Sequence, residues 1–120
     1  MKIAITSQGP DMASETDPRF GRAKFFIVVD METDGSVAHD NAQNLNAAQG
    51  AGIQAAQNVA ELDVEAVLTG NVGPKAFSTL QAGNIKVYLG ATGSVEHAVE
   101  QFKVGQLECV TDANVEGHWV

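Results

Sequence analysis

The sequence has few cations, a single cysteine and no long apolar run. Lysine and arginine together number 7 against 15 aspartates and glutamates, which gives a formal net charge of -8. Nucleic acids and anionic membranes bind proteins through a basic footprint, so this balance argues against either partner. The lone Cys109 excludes an internal disulfide and a cysteine cage for zinc or an iron–sulfur cluster.

The absence of a long apolar run also concerns the cellular location of the protein. No segment is long enough to cross a bilayer, and the first residues, MKIAITSQGP, lack the apolar core of a signal peptide. We therefore expect a cytoplasmic protein without a membrane partner. A chain of 120 residues with 44% hydrophobic residues is sufficient for one globular domain, which we expect to be monomeric.

Hydrophobic periodicity predicts an α/β protein. Period-two patterns predict strands over 2–6 and 23–30, followed by a hairpin turn at Asp34-Gly35 and a third strand. After residue 50 the pattern alternates between helices and buried strands, which favours parallel strands joined by crossovers. The predicted elements are helices over 52–62, from Pro74 to Gly83 and from Ser94 to Gly105, with strands over 65–70 and 85–90. The residues from 106 onward could add a short edge strand.

Two strand-to-helix turns share a spacing of glycines. VLTGNVGPKAF carries Gly70 and Gly73, and VYLGATGSVEH carries Gly90, Thr92 and Gly93. If the strands are parallel, both turns lie at the carboxyl edge of the sheet, where ligands of open α/β folds bind. The first strand would deliver Ser7 to the same edge. Backbone N–H groups at helix starts favour an anion there, although glycines after strands also serve simply to make tight turns.

The segment DPRFGRAKFF concentrates three of the seven cations in ten residues. Arg19 and Arg22 flank Phe20-Gly21 immediately before a predicted strand. One interpretation is a ligand site, in which an arginine and the backbone at Gly21 approach an anion and Phe20 shields it from water. The other is a solvated loop in which Arg19 pairs with Asp17 and Phe20 belongs to the core. Residue types alone leave both open.

The remaining reactive side chains form no catalytic pattern. His39 on the hairpin could reach the crevice that these loops would form at the carboxyl edge of the sheet, although a surface position is the more common one for such a histidine. Cys109 has the apolar context of a small buried side chain. Neither glycine turn has the sequence of a P-loop. The first strand carries none of the carboxylates that a two-metal nuclease requires. We therefore expect no catalytic residues and no enzymatic activity.

Several segments together resemble the dinitrogenase iron–molybdenum cofactor biosynthesis family. The resemblance rests on MKIAITSQG, on RFGRA within DPRFGRAKFFIVVD, on the pattern TGxxGPxAFxxLxxxxI that begins at Thr69, and on ATGSVEHAVEQFKVGQL. It covers residues 1–107, which predicts a metal-cluster-binding domain there and a C-terminal extension over 108–120. This resemblance implies a ribonuclease H-like three-layer α/β/α fold. The implied sheet has five strands in the order 3-2-1-4-5, with strand 2 antiparallel, and three helices.

The resemblance also implies a function without turnover, namely binding, storing or delivering an anionic metal–sulfur cluster. Small stand-alone members in sulfate-reducing bacteria carry a molybdenum–copper sulfide cluster without a cysteine cage, and others carry the iron–molybdenum cofactor or its precursor. The motif positions carried over are Arg19, Phe20, Gly21, Arg22, Gly70, Asn71, Gly73 and Pro74.

Ligation and partners follow from the same resemblance. Some carriers use a histidine or cysteine ligand, for which His39 and Cys109 are the available stand-ins. The implied protein partners are P-loop ATPases or cluster-receiving proteins. A regulatory module that binds a nucleotide or a partner ATPase through the same crevice is the alternative.

Overall fold

A computed structural model describes residues 1–41 and 51–110. Within these ranges the elements in chain order are β1 (Lys2–Ser7), β2 (Phe25–Asp30), β3 (Ser36–Asp40), α1 (Ala51–Ala60), β4 (Ala66–Leu68), α2 (Pro74–Ala82), β5 (Lys86–Leu89), α3 (Val95–Lys103) and β6 (Glu108–Val110). Residues 111–120 of the predicted C-terminal extension lie outside the described residues. No helix in the described ranges is long and apolar enough to span a membrane.

The strands form one mixed sheet in the order β3-β2-β1-β4-β5-β6. Ile5 aligns in parallel with Leu68, and Leu68 with Tyr88, so β1, β4 and β5 end at the same edge. β2 runs antiparallel to β1 and to β3, with Ile27 opposite Ile5. The predicted convergence of the β1, β4 and β5 carboxyl ends is therefore confirmed.

The expected count of five strands is wrong, because the described residues contain six. β6 pairs antiparallel with β5, so β2 is also not the only reversed strand. β6 has only three residues, Glu-Cys-Val, which are too few to show the two-residue alternation of a strand. The sequence therefore indicated only that a short edge strand could form there. β6 lies at the start of the stretch predicted as a C-terminal extension. The ribonuclease H-like assignment stays a prediction, since a mixed sheet with helices does not identify that fold.

Helices cover both faces of the sheet, each with its own apolar core. On one face, α1 and α2 pack their buried residues Ala55, Ala56, Val59, Ala76, Phe77 and Leu80 against β1, β2, β4 and β5. On the other face, α3 packs Val95, Ala98 and Val99 against Ile3, Ile5, Ile27 and Leu68. The central strands β1 and β4 are buried on both sides, as their apolar sequences require.

The ends of α3 are set by the residues that the sequence indicated. Ser94 is the N-cap, and its hydroxyl accepts the backbone N–H of His97 at 3.1 Å. Gly105 has φ +76°, the left-handed conformation that ends a helix. In the β2–β3 hairpin, Asp34 takes φ +60° before Gly35, which confirms the predicted turn.

Candidate functional site

The β1–β2 loop (residues 8–24) folds back over the carboxyl edge of the sheet. The main chain of Asp17 forms two hydrogen bonds with Thr6 at the end of β1. The Asp17 N–H donates to Thr6 O at 2.9 Å, and the Thr6 hydroxyl donates to Asp17 O at 2.7 Å. The Thr6 hydroxyl also lies 2.9 Å from Thr69 Oγ1 at the end of β4. All three residues are buried, so this polar network fixes the loop to two parallel strands.

The middle of the loop lies directly on the turn after β4. Phe20 N–H donates to Asn71 O at 3.2 Å, and Asn71 Nδ2 donates to Pro18 O at 3.2 Å. A Cβ placed on Gly70 would lie 2.8 Å from both Cα and O of Pro18. Position 70 must therefore be glycine because the two backbones touch.

The far end of the loop is held by the residue that follows β3. Asn41 donates its N–H to Lys24 O and its Nδ2 to Ala23 O, both at 2.8 Å. With anchors at Asp17, Phe20 and Asn41, the backbone between them is positioned before any ligand arrives. Preorganisation of this kind lowers the entropy cost of binding.

This loop encloses a surface pocket of about 430 Å³, here called the cationic pocket. Its lining residues are Gln8, Asp17, Pro18, Arg19, Arg22 and Lys24. Three cationic side chains thus meet at one place, accompanied by one carboxylate. Arg19 and Lys24 are exposed and Arg22 is half-buried, so the charged groups of Arg19 and Lys24 are accessible from solvent. In a chain of net charge -8, such a local cluster of cations favours an anion over a cation.

The β5–α3 turn offers less to a ligand than its glycines suggest. The N–H groups of Val95 and Glu96, at the start of α3, donate to the carbonyls of Ser14 and Met12, both at 2.9 Å. Thr92 N–H donates to Gln101 Oε1 at 3.2 Å. The donors that the sequence assigned to an anion here are therefore occupied by the chain itself.

The glycines of that turn serve backbone geometry. Gly90 and Gly93 have φ of +95° and +73°, which other residues adopt only under strain. Gly93 O also accepts the N–H and the hydroxyl of Thr16, at 2.8 and 3.1 Å. The turn thereby supports the β1–β2 loop, and a ligand role for Gly90, Thr92 and Gly93 stays a prediction.

Most of the other predicted site residues are buried, and Pro74 is exposed. Ser7 is fully buried, and its hydroxyl donates to Gly9 O at 2.6 Å. Phe20 is also fully buried, with its ring centroid 5.5 Å from that of Phe26. Gly21 and Gly73 are buried; Gly73 is the N-cap of α2 and provides no side-chain cap. Pro74 is exposed at the first position of α2.

The structure also decides how Arg19 and Asp17 interact. Asp17 Oδ1 accepts the backbone N–H of Arg19 at 2.9 Å, and no ion pair between the two side chains occurs in residues 1–41 and 51–110. The guanidinium of Arg19 is therefore available to a ligand, as the binding interpretation requires.

Comparison with known proteins places this architecture in a family. Residues 1–105 match the family described as "Dinitrogenase iron-molybdenum cofactor". The chain belongs to this family. An uncharacterized protein of Methanocaldococcus jannaschii is 32% identical over 110 residues, which is 90% of each chain.

Two solved structures of similar proteins cover almost the whole chain. The apo form of the orange protein from Desulfovibrio gigas is 43% identical with a TM-score of 0.92, covering 95% of this chain and 96% of that one. A NifB-like protein of the DUF35 family from Thermotoga is 36% identical with a TM-score of 0.84, covering 97% and 98%. Both similarities extend well beyond the loop segments that form the pocket.

The cationic pocket carries basic side chains rather than the usual metal ligands. In the part of the chain that is described, no three histidine, cysteine, aspartate or glutamate side chains are arranged to hold a metal ion. Guanidinium and ammonium groups instead donate hydrogen bonds to an anionic surface. The donor set of the pocket therefore suits an anion rather than a bare metal ion.

The two stand-in ligands lie away from the cationic pocket. His39 is half-buried on the edge strand β3, opposite Phe26, and lines a separate pocket with Asn58 of α1 and with Glu61, which follows α1. Cys109 lies on β6, three strands from β1. The structure does not bring either residue to the cationic pocket, and a ligand role for them stays a prediction.

Cys109 is exposed, so the sequence-based expectation of a buried side chain is wrong. Its strand is the outer one of the sheet as described, where an apolar sequence context does not guarantee cover. Cys109 is paired with Tyr88 across β5 and β6. Burial, together with the neighbouring Cys109 thiol, raises the pKa of the Tyr88 hydroxyl.

This exposure makes a direct prediction. Native protein should be labelled at Cys109 by a thiol reagent such as dithiobis-nitrobenzoate, because the thiol is accessible without unfolding. Adding denaturant should change the labelling rate little. Cys109→Ser serves as the unlabelled control, and a thiol that reacts only in denaturant would contradict the exposed position.

Four residues that line the cationic pocket were not among the predicted site residues, namely Gln8, Asp17, Pro18 and Lys24. The available signal for three of them was the clustering of cations in DPRFGRAKFF, which contains Asp17, Pro18 and Lys24. Gln8 enters only because β1 ends beside the loop, which is a matter of strand order.

Proposed function

We propose that this protein is a monomeric cytoplasmic carrier that binds, stores or delivers an anionic metal–sulfur cluster without catalysing a reaction. The candidate cargo is a molybdenum–copper sulfide cluster or a cluster resembling the iron–molybdenum cofactor, held non-covalently. The observation that carries the proposal is the cationic pocket, where three of the chain's seven cations face one carboxylate. Membership of a cofactor family and similarity to the orange protein support the choice of cargo.

The physical fit is electrostatic and geometric. A thiometallate cluster is a large, soft anion whose surface sulfurs accept hydrogen bonds from several donors at once. Arg19, Arg22 and Lys24 supply such donors from a loop whose backbone is fixed. Delivery then requires only a recipient that binds the cluster more tightly, such as a cluster-receiving protein or a P-loop ATPase partner.

The proposal predicts that apo protein mixed with tetrathiomolybdate and copper(I) develops charge-transfer absorption that elutes with the protein. Arg19→Gln combined with Arg22→Gln should weaken retention about 100-fold, because a hydrogen bond from a charged donor contributes about 1.5 kcal/mol, or roughly tenfold in dissociation constant, for each arginine. The difference in cluster retention between the native protein and this double variant should become smaller as ionic strength rises, because salt screens exposed charges.

The matched control removes the same charge from the opposite edge of the sheet. Lys2 and Lys86 are exposed at the starts of β1 and β5, so Lys2→Gln with Lys86→Gln should leave retention almost unchanged. Equal retention by both double variants would show that the cationic pocket does not bind the cluster. Stabilisation by ATP or ADP, with none by thiometallates in a melting experiment, would instead support the nucleotide-binding module.

A further inference from the structure

One carboxylate lies among the cations of the cationic pocket. Asp17 lines the pocket beside Arg19, Arg22 and Lys24, and the residue is only 6% exposed. A negative charge at this place opposes every anion that enters. Its presence in an anion site therefore needs a physical explanation.

The local fold does not require the charge. Asp17 Oδ1 accepts the N–H of Arg19 at 2.9 Å, and the amide oxygen of an asparagine could accept the same bond. The attachment of position 17 to β1 uses backbone N and O atoms, which any residue has. An Asx-type turn in this loop would thus form equally well without a carboxylate.

In the described ranges the Asp17 side chain forms no ion pair with Arg19 or Lys24, although all three residues line the same pocket. Its effect on a bound anion depends on how near the anion comes and how concentrated the anion's charge is. Molybdate and sulfate are fully deprotonated near neutral pH, so their small, hard oxygens are acceptors only, as the oxygens of a carboxylate are.

We infer that Asp17 determines the specificity of the cationic pocket by rejecting compact oxyanions in favour of larger sulfide-coordinated ones. This inference rests on the proposed function of the same pocket. A compact oxyanion that contacts all three cations brings its concentrated charge close to the Asp17 carboxylate and is repelled by it. A larger sulfide-coordinated anion spreads its charge over more atoms, so the same carboxylate repels it less. The Asp17 carboxylate lowers the affinity of the pocket for all anions, and it lowers the affinity for compact oxyanions most. An unfavourable contact of this kind increases specificity.

The test compares molybdate with tetrathiomolybdate, two tetrahedral dianions of the same metal, by titration calorimetry at fixed ionic strength. Asp17→Asn keeps the acceptor for Arg19 N–H and removes the charge. We expect it to strengthen molybdate binding about tenfold and tetrathiomolybdate binding about threefold or less, which lowers the discrimination between them at least about threefold. Glu15→Gln removes an exposed carboxylate two residues away and should leave the discrimination unchanged.

The possible outcomes distinguish the role of Asp17 from the carrier function. An equal gain for both anions, or no gain for either, would overturn the role of Asp17 while leaving the carrier function intact. If neither the native protein nor any variant binds tetrathiomolybdate, the carrier function fails, and the role of Asp17 in selecting a sulfide-coordinated anion fails with it. Asp17→Ser, whose hydroxyl can accept the same N–H, replaces Asp17→Asn if that variant does not fold.

Discussion

Replacing Gly70 with alanine is expected to destabilise the protein by about 2–3 kcal/mol, because overpacking against rigid atoms costs about that much. The new Cβ would lie 2.8 Å from Cα and O of Pro18, and both are backbone atoms that no rotamer change can move. The β1–β2 loop must therefore lift from the turn after β4. Since Arg19 follows Pro18 directly, the cationic pocket should lose affinity for tetrathiomolybdate in the same variant.

Gly83→Ala is the matched control for this substitution. Gly83 has φ -87°, and its added Cβ would meet its nearest neighbour, Leu80 O, at 3.5 Å, an ordinary contact. Its free energy of unfolding should change by less than about 1 kcal/mol. Urea denaturation measures both variants. Equal stabilities for Gly70→Ala and Gly83→Ala would show that the loop is not seated on the β4 turn.

The second large effect is expected at Phe20, where alanine should cost about 3–5 kcal/mol, as for other fully buried phenylalanines. Phe20 has no exposed surface and packs against Phe26 in the core beneath the loop. Phe20→Leu retains most of the apolar volume. It should cost about 1 kcal/mol and keep cluster retention close to that of the native protein.

Phe102→Ala provides the comparison for an aromatic outside the loop. Phe102 is half-buried and contacts Tyr88 edge-on at 5.0 Å, so its loss should cost about 1–2 kcal/mol. A Phe20→Ala variant that is no less stable than Phe102→Ala would contradict the core position. A Phe20→Leu variant that folds but loses the cluster would favour direct contact between Phe20 and the ligand.

The sequence was sufficient where local chemistry determines the structure. Ser94 and Gly105 marked the ends of α3 because an N-cap hydroxyl and a left-handed glycine are local requirements. The hairpin at Asp34 followed from turn chemistry in the same way. The convergence of the β1, β4 and β5 ends followed from alternation of strands and helices, which restricts the topology.

The sequence was not sufficient where distant residues share hydrogen bonds. Nothing in the residues around Val95 shows that Met12 and Ser14 satisfy the first N–H groups of α3. The turn at Gly90 and Gly93 was therefore expected to supply free N–H donors to the same anion site. Cys109 illustrates the same limit, since its exposure depends on its place on the outer strand β6 and not on its neighbours in sequence.

The same long-range bonds determine when the pocket can exist during synthesis. Thr16 bonds to Gly93 O, and Ser14 O accepts the N–H of Val95, so the loop bearing the arginines is supported by residues made nearly eighty positions later. A nascent chain that ends before this turn has the arginines but lacks part of the support of the loop that presents them. The supported form of this loop therefore becomes available only after the β5–α3 turn has been synthesised.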